Sequence, residues 1–167
     1  SRVHDVDEAL ISRAAEWLMG QQTSDGSWEN DQGLVHENTW SSLENDRLPV
    51  TAYIVWSLVT AGYGDDSRVK RGLDYVKQNY GQADDPYVVA LVANALVAGD
   101  PQGQATRQTL DTLAGMAQSD GDARFWTSEV ATFMGSEGQT GSIETTALAT
   151  YALLRADSHS DVANGGL

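Results

Sequence analysis

The 167-residue chain is 41% hydrophobic, enough to bury a core, and fits one domain or a fragment of one. Its 24 acidic against 10 basic residues leave a formal charge of -14, which repels phosphate backbones and anionic lipid, so nucleic-acid and membrane-surface partners are not expected. There is no cysteine, which excludes disulfides, thiolate metal sites and a cysteine nucleophile within these residues, and no apolar run approaches the roughly 20 residues of a membrane span.

The first element, residues 7 to 22, carries Leu10, Ala14, Trp17 and Leu18 at i, i+4, i+7 and i+8, with Arg13 and Glu16 off that stripe. This spacing predicts an amphipathic helix burying the Leu10–Trp17 face. A long segment follows without helical period, 23 to 48, containing His36 and Glu37. Pro49 then opens PVTAYIVWSLVTAG, apolar on nearly every face and ending at Gly62, a C′ glycine. Such a helix must be buried.

The alternation repeats. A helix capped by Asp66 or Ser67 places Val69, Leu73, Val76 and Tyr80 on one face and Arg68, Lys70 and Lys77 on the other. Asp85 as N-cap and Pro86 as first residue introduce the apolar PYVVALVANALVAG. An amphipathic helix from Gln104 to Gln118, with Leu110, Leu113, Ala114 and Ala117 as its stripe, precedes ETTALATYALLRA, residues 144 to 156. The loop between them, 119 to 143, holds Phe125-Trp126 and Val130 to Phe133 about a Gly-rich turn, and a small hairpin is expected there. From Ser158 the tail is expected to fray, leaving His159 without a function.

One-faced helices alternating with all-round apolar ones predict three αα-hairpins, outer then inner, giving an all-α fold: an α/α toroid, or an incomplete segment of one. A solenoid of stacked pairs is the alternative. By parity, the outer-to-inner connections 23–48, 81–85 and 119–143 share one face with the inner-helix N-termini. Long irregular connections on a rigid scaffold are where function gathers. An uncovered inner-helix edge would favour dimerisation.

RAAEWLMGQQTSDGSW, with Gln22 followed by Asp25-Gly26-x-Trp28, resembles the Gln-Trp repeat of α/α toroids such as terpene cyclases, although a turn lidded by an aromatic ring explains it structurally. The ordered run WLMGQQTSDGSW, GLVHENTW, LPVTAYIVWSLVTAGY, DPYVVALVANALVAG and ETTALATYALL resembles the thioester domain of the α-macroglobulin and complement family from about Ala9 to Arg155.

That resemblance implies the C-terminal portion of such a domain, extracellular or periplasmic. Its role would be as scaffold or binding module in protease trapping or covalent target tagging, through hydroxyl or amine groups of the target. The start at Ser1 fits an excised or processed piece. The Cys-Gly-Glu-Gln element that forms the family's thioester is not in this sequence, so the chain is not expected to act as an enzyme alone. His36 matches the histidine that complement-like members use as acyl acceptor. Glu37 is a candidate to orient it, where such members place an acid two positions on, here Asn38. The rival functions are a toroid enzyme, either a terpene cyclase relative or a polysaccharide lyase, and a plain interaction module.

Asp65-Asp66 and Asp84-Asp85 read as helix caps rather than cation sites, and no metal or cofactor motif is found. Trp17, Trp56 and Tyr75 fall at core-compatible helix positions.

Overall fold

The computed structural model describes residues 7–29 and 47–166. Their helices are α1 (Glu8–Gly20), α2 (Arg47–Leu58), α3 (Ser67–Asn79), α4 (Pro86–Gly99), α5 (Gln104–Gly115), α6 (Gly138–Arg155) and α7 (Ser160–Gly165), with strands β1 (Gln118–Asp120) and β2 (Ala123–Phe125). No helix among them is long and apolar enough to cross a membrane.

The order is outer, inner, three times over, an all-α toroidal wall with a small hairpin. α4 is its centre: every residue from Tyr87 to Val97 is buried, and it packs against α2 on one side, α6 on the other and α5 behind. Its ends follow from local chemistry. The Asp85 carboxylate accepts the Tyr87 N–H, Pro86 occupies the first turn where no amide donor is required, and the apolar run stops at Gly99. Asn94, buried in this helix, satisfies its amide on the carbonyls of Ala90 and Leu148, 2.8 and 3.1 Å away. Helix α2 ends in a wide turn, Val59–Tyr63, where Gly62 adopts φ +93°, a conformation that side chains resist. Helix α5 buries only Thr106, Thr109, Leu110 and Leu113 and so remains an outer helix.

Four sequence expectations are corrected. Leu10 and Trp17 of α1 are 53% and 55% exposed, and the helix buries Ala15 and Met19 instead. As the first described helix of the wall, α1 meets its neighbours on one side only, and that side is fixed by the Trp28 indole on the Leu18 carbonyl and the Arg68–Glu16 ion pair. Trp17 is therefore not a core residue, while Trp56 and Tyr75 pack partly buried against the core.

The hairpin pairs β1 with β2, Gln118 opposite Phe125, while Val130–Phe133 forms no strand; two-residue Gly121-Asp122 closes the turn. Helix α6 begins at Gly138, six residues before the apolar run. Finally, the tail does not fray: α7 lies on α6 and β2 with Ala163 fully buried, because Ala163 and Val162 complete the second core cluster.

Candidate functional site

His36 and Glu37 lie outside the described residues, as does Asn38. The described part of the loop face consists of the turn at 23–29, the N-termini of α2, α4 and α6, and the loop 127–137.

The turn is held from several directions. Asp25 accepts the Thr23 hydroxyl at 2.6 Å, the Ser27 hydroxyl at 2.7 Å and the Ser27 amide at 3.0 Å, and these donors hold its carboxyl down to about 2. Gln22 donates to the carbonyls of Gly26 and Arg68. Arg47, first residue of α2, reaches back to Asp25 and Glu29 and thereby ties the two sides of segment 30–46.

Trp28 is buried, its indole N–H donating to the Leu18 carbonyl at 2.6 Å and its amide to Thr51 Oγ1 at 2.9 Å. Trp126 repeats this arrangement. Its indole donates to the Leu113 carbonyl at 2.7 Å and its amide to Thr146 Oγ1 at 3.0 Å. In both cases a ring plugs the end of an outer helix while the chain hangs from a threonine of the following inner helix, so the first and third hairpins share one device. Of the two lids, only that of Trp28 was expected from the sequence. The available signal was Ser-Asp-Gly followed by Trp, at 24–28 and again, with an insertion, at 119–126.

The loop 127–137 is fastened in turn by α4. The Asp85 carboxylate, besides capping α4, accepts the Ser128 hydroxyl at 2.8 Å and the Glu129 amide at 3.0 Å. The Phe133 amide donates to the Tyr87 hydroxyl at 2.9 Å, and burial pushes that phenol above the usual tyrosine range. Thr132 gives its hydroxyl to Glu144 of α6 at 2.6 Å.

Neither acidic pair gathers ligands. Asp66 caps α3, Arg68 holds its carboxyl down to about 2, and Asp65 is exposed beside Lys70. Among the described residues no three His, Cys, Asp or Glu side chains are placed to hold a metal ion. His159, given no role from sequence, meets Ser158 Oγ through Nδ1 at 2.7 Å and Asp111 through Nε2 at 3.3 Å, joining α7 to α5.

Residues 1–165 match the family described as the A-macroglobulin TED domain. The chain is 25% identical over 167 residues to thioester-containing protein 1 allele S1 of Anopheles gambiae, and 24% and 22% identical to alleles S3 and R1 of the same protein. Each comparison takes in 95% of this chain but only 11% of the relative's length.

Proposed function

We propose that this chain, which belongs to the α-macroglobulin TED-domain family, is the scaffold and target-facing part of a thioester domain whose parent protein captures targets covalently. The observation that carries this reading is the family match across 1–165, since the fold alone would also suit a toroid enzyme. Protease trapping and covalent tagging of targets are the two forms such capture takes, and both place the protein in an extracellular or periplasmic space.

His36 is the proposed acyl acceptor and Glu37 its candidate orienting acid. A neutral imidazole nitrogen attacks the thioester carbonyl, the sulfur leaves as thiolate, and an acyl-imidazole forms. The thiolate then takes the proton of a target hydroxyl, whose oxygen attacks the acyl carbon; an ester forms and the imidazole is released. The thioester sulfur must come from outside these 167 residues, which contain no cysteine. What supports the role of His36 is its position eight residues after Trp28, on a segment whose flanks, Glu29 and Arg47, are tied to each other at the loop face. The isolated chain is a binding module and not a catalyst.

The test is a competition between glycerol and methylamine for the thioester of the full-length parent. His36→Ala is expected to move transfer from the hydroxyl to the amine while leaving thermal unfolding unchanged; an unaltered acceptor ratio returns His36 to a structural role. The isolated chain is expected to gain no mass with either reagent.

A further inference from the structure

We infer that the loop 127–137 is a preformed docking element for a protein segment that carries an apolar side chain flanked by Lys or Arg. Met134 stands at the tip of this loop, 82% exposed. An exposed apolar side chain on a mobile loop would need no explanation. This loop is held at many points. Asp85 fixes Ser128 and Glu129; Tyr87 fixes the Phe133 amide; and Thr132 bonds Glu144. Within the loop, the Gly135 amide reaches the Thr132 carbonyl at 2.8 Å, and the Thr132 and Ser136 backbones close on each other at 3.0 Å. Next to Met134 in the chain, Phe133 packs its ring edge-on against Tyr53 at 5.1 Å and Tyr87 at 5.9 Å between centroids. Tyr53 itself is 45% exposed and extends the apolar surface from the loop onto α2.

Fixing a loop in advance removes the ordering cost that a partner would otherwise meet on binding, a few residues carry most of an interface's energy, and Met is among the residue types enriched at interfaces. Charge selects the partner. No Lys or Arg occurs between Arg124 and Arg155, whereas Glu129, Glu137 and Glu144 surround the anchor in sequence. Glu129 and Glu137 are exposed, and none of the three joins an ion pair among the described residues. An apolar tip in an uncompensated acidic field favours a basic segment that brings an apolar side chain against it, and repels an acidic partner such as a second copy of this chain, itself at -14.

The probe is a fluorescein-labelled peptide with Lys and Leu at helical spacing, compared by anisotropy with a Lys/Ser peptide of equal charge and a Glu/Leu peptide of equal apolarity. The Lys/Leu peptide is expected to bind more tightly than both. Met134→Ser should weaken it about tenfold, the loss of one hot-spot anchor, leave the Lys/Ser peptide unaffected, and leave the melting temperature unchanged. Glu129→Gln with Glu137→Gln should weaken the Lys/Leu peptide several-fold and flatten its salt dependence. Unchanged affinity in Met134→Ser, or equal binding of the Lys/Leu and Lys/Ser peptides, overturns the proposal in favour of bulk charge. Equal binding of the Glu/Leu peptide removes the basic partner. Self-association in sedimentation that Met134→Ser abolishes would seat a second copy on the loop instead.

Discussion

Replacing Gly72 by alanine sets two effects of opposite sign against each other at one site. Gly72 lies inside α3, where alanine is favoured over glycine by about 1 kcal/mol through backbone entropy. A Cβ at that position would stand 2.6 Å from Trp28 Cζ3 and 2.8 Å from Val55 Cγ2, closer than real methyl contacts come. Neither neighbour can step aside cheaply. The Trp28 ring is buried and tied through its indole to the Leu18 carbonyl, and Val55 is fully buried in α2. Forcing a methylene into a filled core costs about 1–3 kcal/mol, and tethering of both neighbours puts this case at the upper end. The net expectation is a loss of about 1–2 kcal/mol, a fall of roughly 2–8 °C in the melting temperature for a chain of this length. Gly115, at the end of α5, supplies the control: a Cβ there meets nothing within 4 Å, so Gly115→Ala should gain about 0.5 kcal/mol. Thermal unfolding followed by far-ultraviolet circular dichroism reads both. A Gly72→Ala protein as stable as its parent would refute the claim that α3 and the Trp28 plug meet at a glycine of necessity. A loss in Gly115→Ala would refute the propensity half of the argument.

The two tryptophan plugs sit in separate core clusters, so Trp28→Phe and Trp126→Phe should each cost about 1–3 kcal/mol, from the orphaned carbonyl and the lost ring volume, and should add in the double variant within about 0.5 kcal/mol; urea unfolding of the four proteins checks this, and strong non-additivity would mean that the hairpins are coupled through α4. In acid, Asp25 and Asp66, both with folded-state carboxyls held down to about 2, contribute stability that is present above their unfolded value near 4 and is lost as pH falls through the folded value. Asp25→Asn with Asp66→Asn should therefore flatten the fall in melting temperature between pH 4 and 2 while changing little of the slope above pH 5.

What was legible in the sequence depended on how many sides an element buries. Helix α4 is enclosed by α2, α5 and α6, so it is apolar all round except at Asn94, whose amide is satisfied by carbonyls, and its ends are marked by Asp85, Pro86 and Gly99. No choice of face is required to place it. Helix α3 likewise buries Val69, Leu73 and Val76, the stripe its period shows. The start of α6 was not legible because Gly138 to Ser142 has a loop's composition. The helix extends through it where a Cβ placed on Gly141 would stand 3.1 Å from the Ser136 carbonyl oxygen, so a side chain there would crowd the loop, and where Thr145 returns its hydroxyl to the Gly141 carbonyl. That contact depends on the fold of the preceding loop, which no local window contains.

Helix α1 marks the same boundary from the other side. Its strongest apolar stripe, Leu10 to Trp17, is a property of the helix alone, but burial is a property of a pair, and α3 offers its contact through Arg68 to Glu16, on a different face. The caps at Asp66 and Asp85 and, on the loop face, the lidding role of Trp28 followed from local chemistry. The second duties of Asp85 and Tyr87 did not, because Ser128, Glu129 and Phe133 reach them across more than 40 residues of chain. A residue that caps its own helix already has a complete local explanation. That is why Asp85, whose carboxylate also fixes the loop bearing Met134, gave no sign in the sequence of its longer-range work.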